Sequence, residues 1–253
     1  MIRSLAAVAT LFVMTLLLAP VVLVAAMLGI KERPGGIYER CMRLWAQGMS
    51  RAAGVRIVVH GTEHVRNGAI YIQNHVSWFD IFAVASVLPR FTFVAKLELR
   101  KIPLFGRGAE AAGIVFIDRD NRKSAFESYK VATAEVQRGR NVVVCPEGTR
   151  GRDYHLRPFK KGPFVLAIAA EAPVVPVVVY GALEVMRKGS MRVRPNTVHV
   201  HFLPPVETKG YSYEDRTELM RLVWQRMADA MRELYDVRTT EYPIAKEKER
   251  KEA

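Results

Sequence analysis

Short apolar segments alternate with amphipathic segments along most of the chain. Seven apolar segments have the length and composition of buried β-strands: residues 55–60, 69–72, 91–95, 114–117, 142–145, 174–180 and 198–202. Between and after them, apolar residues recur with helical spacing near residues 81–88, 123–138 and 217–235. Strands separated by helices predict an α/β fold, with a mixed, largely parallel sheet flanked by helices.

The N-terminal segment has a different pattern, because from Leu5 to Ile30 there is no charged residue in 26 positions. This segment is much longer than the apolar core of a cleavable signal peptide, which has roughly 7 to 15 residues. As a helix it would be about 39 Å long, enough to cross a hydrocarbon layer of about 30 Å. Pro20 lies inside the segment, so two interpretations remain: a kinked transmembrane helix, or an apolar helix lying in one leaflet.

A second, amphipathic helix is predicted after the break at residues 34–36. We therefore expect membrane-anchoring helices over residues 1–52, a main domain over residues 53–238 and a charged C-terminal tail over residues 239–253. Together the first two helices would form the N-terminal apolar helical anchor of the protein.

The basic residues around the apolar segment predict its orientation. One precedes the segment and four follow it: Arg3, then Lys31, Arg33, Arg40 and Arg43. By the positive-inside rule, we expect the protein at the inner (cytoplasmic) membrane, with the main domain facing the cytoplasm. The two cysteines, Cys41 and Cys145, fit neither a disulfide framework nor a spaced zinc site, and are expected to be reduced.

The net charge favours contact with polyanions. Lys and Arg number 38 against 25 Asp and Glu, a formal net charge of +13. Nucleic acid, an anionic membrane surface and phosphorylated substrates all fit this charge. The apolar N-terminus favours the membrane bilayer as a partner, and the basic residues do not coincide with an RNA or DNA motif. We therefore expect no nucleic acid among the partners.

His75 and Asp80 form the first candidate chemical group. They flank a predicted strand-to-helix turn, where Ser77 and Asp80 match the serine-x-x-acid start signal of a helix. With His75 before the helix and Asp80 in its first turn, the carboxylate can orient the imidazole as a general base. Ser77 is not set in a G-x-S-x-G elbow, so a base acting on a substrate hydroxyl is indicated. The alternative is that Asp80 only caps the helix and His75 is structural.

Two other predicted strands also end in charged residues. Arg119 follows one strand, and Glu147 and Arg150 follow another. Ligands of open α/β sheets gather at the carboxyl ends of the strands, so these side chains are expected beside His75. Guanidinium groups suit bidentate phosphate contacts, although each arginine alone could form an ordinary surface salt bridge.

Four ordered segments resemble the motif blocks of the glycerolipid acyltransferases, especially the 1-acyl-sn-glycerol-3-phosphate (lysophosphatidic acid) acyltransferases. They are Asn74-His75 with Asp80, GIVFIDR at residues 113–119, PEGTR at 146–150 and VPV at 175–177. The resemblance runs from about Gly54 to Phe202, and the preceding apolar segments resemble the bacterial members. It identifies residues 53–238 as an acyltransferase domain.

The resemblance implies an acyl thioester donor, acyl-CoA or acyl-carrier protein, and a lysophospholipid acceptor that carries a phosphate. No cofactor is expected, because the donor is itself a substrate. His75 would deprotonate the acceptor hydroxyl while Asp80 orients the imidazole. The other implied substrate-binding residues are Arg119 and Arg150 for the phosphate, and Glu147, Gly148 and Thr149 around the acceptor. Glu147 could instead be a structural anion.

Other candidates are weaker. Lys96 lies in a segment similar to one where the family brings a lysine to the active site, but it also fits an exposed lysine after a strand. Lys160 and Lys161 could steer anionic headgroups. His199 and His201 share one face of a strand and could form half of a metal site, but a structural pair is favoured. His60, His64 and His155 have no companions in the sequence pattern, so no metal site is predicted.

The sequence thus predicts a membrane-bound acyltransferase that makes phosphatidic acid from 1-acyl-sn-glycerol 3-phosphate. Three alternatives remain open at this level. The acceptor could be another lyso-lipid or glycerol 3-phosphate, the protein could be a catalytically silent lipid-binding membrane protein, or it could pass the acyl group to water as a hydrolase.

Overall fold

The computed structural model describes residues 2–118 and 121–239. Seven strands form one sheet: β1 (Arg56–His60), β2 (Ile70–Gln73), β3 (Phe91–Lys96), β4 (Val115–Ile117), β5 (Asn141–Val144), β6 (Val174–Tyr180) and β7 (Thr197–Phe202). Each of the seven predicted strands is confirmed to within two residues at either end. The reason is that each apolar segment is short, rich in β-branched residues and bounded by turn or charged residues.

The sheet has the strand order β1-β7-β6-β2-β5-β3-β4. The β6–β7 pair is antiparallel and the other neighbouring pairs are parallel. The predicted mixed, largely parallel sheet is therefore confirmed. Every residue of β2 and β5 is buried, as expected for parallel strands covered by helices on both faces. Because β2 and β5 are adjacent, the loops that follow them leave the sheet side by side.

The helices of the described residues are α1 (Ile2–Met27), α2 (Ile37–Ala53), α3 (Trp78–Val87), α4 (Phe105–Ala111), α5 (Arg122–Gln137), α6 (Gly162–Ala169), α7 (Ala182–Val185) and α8 (Arg216–Tyr235). The amphipathic patterns predicted α2, α3, α5 and α8. The pattern does not reveal α4, α6 and α7, which are all shorter than nine residues. In addition, α6 consists of Gly, Pro and apolar residues, so it has no polar face to show helical spacing.

Helix α1 is long and apolar enough to cross a membrane. It continues through Pro20, whose side chain is exposed on the outer face. Its inner face packs on the rest of the protein along most of its length. Near its start, the Val193 N–H donates to Ser4 Oγ over 3.0 Å, and in the middle Trp45 Nε1 donates to Thr15 Oγ1 over 3.1 Å. Near its end, Ala25 is buried.

The outer face of α1 consists of exposed apolar side chains, among them Leu5, Phe12, Leu16, Val24 and Met27. An exposed apolar stripe of this length is typical of a surface that contacts lipid. The predicted apolar N-terminal helix is therefore present, seated on the domain, and is a candidate membrane anchor. Of the charged tail predicted over residues 239–253, all but Thr239 lies outside the described residues.

Candidate active site

The turn between β2 and α3 places the two residues of the first motif. Ser77 caps α3: its Oγ accepts from the Phe79 N–H over 3.3 Å, and its own N–H donates to Asp80 Oδ2 over 2.7 Å. This reciprocal capping box holds the first turn of α3 and brings the Asp80 side chain back towards the preceding loop. The predicted helix start at Ser77 is confirmed.

His75 and Asp80 are in direct contact. His75 Nδ1 lies 3.0 Å from Asp80 Oδ1 and 3.2 Å from Oδ2. Asp80 is fully buried and also accepts the Val76 N–H over 2.8 Å, so its carboxylate is stabilised by several donors. Asp80 therefore both caps α3 and orients His75, which were alternatives at the level of sequence. Because a carboxylate accepts from Nδ1, the proton of neutral His75 belongs on Nδ1, and Nε2 is the nitrogen available to a substrate.

The loop after β5 holds the backbone of His75. The His75 N–H donates to Glu147 Oε1 over 2.9 Å, and the Gly151 N–H donates to the His75 carbonyl over 2.7 Å. Glu147 is buried, and Arg157 Nε approaches its Oε2 at 3.2 Å. Burial raises the pKa of Glu147, against the opposing effects of the His75 N–H and the Arg157 guanidinium. The observed contacts of Glu147 tie the two loops together.

Arg150 lies above the ring of Trp78, with Cζ 4.9 Å from the ring centroid. Burial lowers the pKa of Arg150, and the nearby Asp80 carboxylate opposes that shift. An arginine remains charged at neutral pH in such a setting.

Gly148 has a φ of 76°, and a Cβ there would come within 2.9 Å of Lys160 Cε, so glycine suits this turn. Thr149 Oγ1 accepts from Lys188 Nζ over 3.1 Å.

Two cavities meet at Arg150. The first has a volume of about 400 Å³ and is lined mostly by apolar side chains from α1, α2, α3, α4 and β3, with His75, Trp78, Thr149 and Arg150 at its polar part. The second has a volume of about 470 Å³, and its charged lining is mostly basic: Arg150, Arg152, Arg157 and Lys188, with one carboxylate from Asp153. An apolar cavity that contains His75 and shares Arg150 with a basic cavity suits an amphiphile with an anionic head.

Of the two remaining predicted site residues, Lys96 and Arg119, the structure describes only Lys96. Lys96 ends β3 and lines the apolar cavity, and its Nζ lies 2.5 Å from Glu98 Oε1. Arg119 lies outside the described residues.

Three basic residues of the second cavity were not predicted from the sequence: Arg152, Arg157 and Lys188. Arg157 lies three residues before Lys160, which the sequence identifies as basic together with Lys161. Lys188 lies in the chain after α7, a position that sequence spacing cannot connect to the site.

The interpretation that His60 has no companions is wrong. The parallel β1–β7 pairing sets His60 opposite His201, and His199 lies on the same face of β7. One ring nitrogen from each of the three histidines lies within 4.8 Å of those of the other two. The sequence pattern could not show this, because His60 and His199 are 139 positions apart in the chain.

The chain is similar to known proteins over most of its length. The acyltransferase family model matches residues 56–180, from the start of β1 to the end of β6. The chain is 37% identical over 172 residues to the 1-acyl-sn-glycerol-3-phosphate acyltransferase of Limnanthes douglasii, covering 67% of this chain and 61% of that protein. It is 32% identical over 199 residues to the alpha enzyme of that name from Homo sapiens, covering 77% and 70%.

Among solved structures, the chain resembles the 1-acyl-sn-glycerophosphate (LPA) acyltransferase PlsC from Thermotoga maritima. The TM-score is 0.75 at 26% identity, covering 95% of this chain and 99% of that one. The fold and the matched region define the class as that of the acyltransferases. Within that class, the chain belongs to the family of the 1-acyl-sn-glycerol-3-phosphate acyltransferases, which confirms the resemblance. The chain spans about three fifths of the length of the Limnanthes douglasii protein.

Proposed function

We propose that this protein transfers an acyl group from a thioester, acyl-CoA or acyl-carrier protein, to the free hydroxyl of 1-acyl-sn-glycerol 3-phosphate, giving phosphatidic acid. The observation that carries the proposal is the position of the His75–Asp80 pair. His75 lines the apolar cavity together with Arg150, and Arg150 also lines the basic cavity. The names of the relatives support the choice of acceptor.

In the proposed reaction, His75 Nε2 takes the proton of the acceptor hydroxyl as its oxygen attacks the thioester carbonyl. The tetrahedral intermediate collapses with formation of the C–O ester bond and cleavage of the C–S bond. The imidazolium then returns the proton to the departing thiolate, so His75 ends the cycle neutral. The buried Asp80 carboxylate, 3.0 Å from Nδ1, stabilises the imidazolium while it exists.

Direct transfer fits the environment of the nearby serine. Ser77 is fully buried, and its hydroxyl donates to the Met186 carbonyl over 2.7 Å. A serine held in this way is a helix cap and a loop anchor, and it is not placed to form an acyl-enzyme. The reaction needs no resident cofactor, because the thioester donor supplies the activated acyl group.

The basic cavity suits the phosphate of the acceptor. Arg150 is the best candidate for a bidentate phosphate contact, since it borders both cavities and is held against Trp78. Arg152, Arg157 and Lys188 add positive charge around it. The resemblance adds Arg119 to the phosphate site, and Lys96 at the cavity wall is a further candidate.

Glu147 and Gly148 have positions that favour a supporting role. Glu147 holds the His75 backbone and Arg157, so it positions the base and one of the cations. Gly148 allows the turn that carries Thr149 and Arg150 past Lys160. Both oxygens of the Glu147 carboxylate accept hydrogen bonds within the protein, which favours the structural interpretation over direct contact with the acceptor.

The apolar cavity suits the acyl chains, and α1 forms part of its wall through Thr15, Leu18, Ala19 and Val22. The opposite face of the same helix is exposed and apolar.

Helix α1 packs against the domain from Ser4 to Ala25, so we propose that it lies in one leaflet and does not cross the bilayer alone. Lipid substrates would then enter from the leaflet that holds α1.

The proposed function is tested by an acyl-transfer assay with purified protein and a panel of acceptors. We expect 1-acyl-sn-glycerol 3-phosphate to be consumed with release of one free thiol per ester formed. Glycerol 3-phosphate and phosphate-free lyso-lipids should react far more slowly. Faster consumption of another acceptor would reassign the substrate. Release of free fatty acid in place of ester would indicate a hydrolase, and absence of thiol release would indicate a lipid-binding protein.

The membrane role of α1 is tested at its outer face. Leu16 and Leu17 are 65% and 60% exposed, so replacing both by glutamate leaves the cavity wall intact. Charging two lipid-facing positions should lower partitioning into phospholipid vesicles by at least about 100-fold, measured by co-sedimentation. Val131→Glu, at an exposed apolar position on α5, is the matched control and should bind normally. Equal vesicle binding by the double variant would contradict the proposal.

The one-leaflet arrangement has its own readout in the same vesicles. A tag placed before Met1 should be accessible to antibody from the side that carries the main domain. Protection of the tag in sealed vesicles would show that α1 crosses the bilayer.

A further inference from the structure

The cluster of His60, His199 and His201 lies outside the proposed active site. It spans the edge strand β1 and its neighbour β7, which β6 separates from β2. His60 and His201 are partners in the parallel register, and their rings stack with centroids 4.2 Å apart. His60 Nε2 and His199 Nδ1 are 3.1 Å apart. The three imidazoles therefore form one group.

The nitrogen spacing of this group is close to that of a metal site. Two nitrogen ligands at about 2.0–2.1 Å from a tetrahedral Zn²⁺ lie about 3.3 Å from each other. The His60–His199 nitrogens already have a similar separation, and all three donor atoms lie within 4.8 Å of one another. Rotation of the rings when the ion binds would be needed to bring the third nitrogen to the same centre. Binding would replace the His60–His199 hydrogen bond by two metal–nitrogen bonds, and the proton of that hydrogen bond would move to the other nitrogen of its own ring.

Tyr235 supplies the outer contact that metal-binding histidines usually have. Its hydroxyl lies 2.6 Å from His201 Nε2. When the Nε2–H donates to this oxygen, the lone pair on Nδ1 is left for a metal, and the contact stabilises that tautomer. Tyr235 is the last residue of α8 and stacks on Tyr180, with centroids 3.7 Å apart, so the contact is anchored in the fold.

We propose that His60, His199 and His201 bind one divalent transition-metal ion. Three imidazole nitrogens favour Zn²⁺, Cu²⁺ or Ni²⁺ over Mg²⁺ or Ca²⁺, which prefer oxygen ligands. His60 is exposed, so a fourth position can be taken by water. The ion would join the edge strand β1 to β7 and, through Tyr235, to the end of α8. This role is structural and independent of the proposed acyl transfer.

The proposal is tested by calorimetric titration of ZnCl2 into the full chain, purified without a histidine tag and freed of metal by a chelator. We expect one ion to bind per chain. At a free Zn²⁺ concentration of 100 times the Kd, the Tm should rise by about 5 to 10 °C. His60→Ala and His199→Ala should lose this binding and the Tm rise. His64→Ala, which changes a histidine outside the cluster, is the matched control and should keep both.

Loss of folding is separated from loss of binding by circular dichroism of each metal-free variant. His60 is exposed, so its replacement should leave the metal-free fold intact. Tyr235→Phe should keep one site per chain and weaken it by about 10- to 100-fold. With Cu²⁺ as the probe, electron paramagnetic resonance should show coupling to three nitrogens. Failure of the wild-type chain to bind Zn²⁺, or equal binding by folded His60→Ala and His199→Ala, would overturn the proposal.

Discussion

Replacing His75 by alanine is expected to lower kcat/KM for acyl transfer by about 10²- to 10⁴-fold, the usual contribution of a positioned general base. The imidazole is the group placed to accept the hydroxyl proton, with Asp80 held 3.0 Å from Nδ1 to stabilise the resulting charge. The acceptor and donor KM values should change little, because His75 acts mainly in the transition state. Steady-state kinetics with varied donor and acceptor measure this.

The fold of this variant needs a separate check, because alanine removes a hydrogen bond to a buried carboxylate. Asp80 keeps its contacts with the Val76 and Ser77 N–H groups, so the loss in free energy of unfolding should be about 1–3 kcal/mol. His64→Ala, at a histidine away from the site, should retain full activity. Near-normal turnover by a folded His75→Ala protein would refute the assignment of His75 as the base.

Replacing Arg150 by alanine is expected to raise the KM for the phosphate-bearing acceptor by about 10- to 100-fold, since charge-assisted hydrogen bonds contribute about 1.5–3 kcal/mol. The donor KM should stay close to the wild-type value. Arg150 borders both cavities and is already held over Trp78, so little order is lost when it binds phosphate. Kinetics with each substrate varied in turn distinguish the two effects.

Arg150→Lys is the informative companion, because it keeps the charge and removes the planar pair of donors. It should recover part of the acceptor affinity without reaching that of the wild type. If Arg150→Ala instead raises the donor KM and leaves the acceptor KM unchanged, the basic cavity belongs to the phosphates of the donor. That result would leave the His75 assignment intact, so the two hypotheses can fail separately.

The pairing of His75 with Asp80 could be predicted because it is local. The two residues are five positions apart in the chain, and the Ser77–Asp80 capping box sets the turn that joins them. The strand-end rule also predicted that the loops after β2 and β5 would meet, and their contact through Glu147 confirms this. The same rule could not identify Arg157 as the second partner of Glu147, because that contact depends on the course of the chain after the loop.

Pro20 shows how tertiary contacts override a local signal. A proline inside a helix removes one backbone hydrogen bond, so a break or kink was a reasonable expectation. The structure keeps α1 continuous, with Pro20 on its exposed face and Ala19 and Val22 packed against the protein. A break at Pro20 is therefore excluded, and burial of the inner face is the tertiary contact that can offset the lost hydrogen bond. The sequence alone could not tell which side of this uniformly apolar helix would face the protein.

By itself, the sequence determined the strands and longer helices, the His75–Asp80 pair and the apolar N-terminus, because these features depend on residues close together in the chain. Only the tertiary structure decided that α1 is both a cavity wall and an exposed apolar surface, that Arg150 borders two cavities, and that His60 joins two distant histidines. These arrangements depend on strand order and on helix packing across long separations. Local hydrophobic periodicity specifies which faces are buried, but it does not specify the partner against which each face is buried.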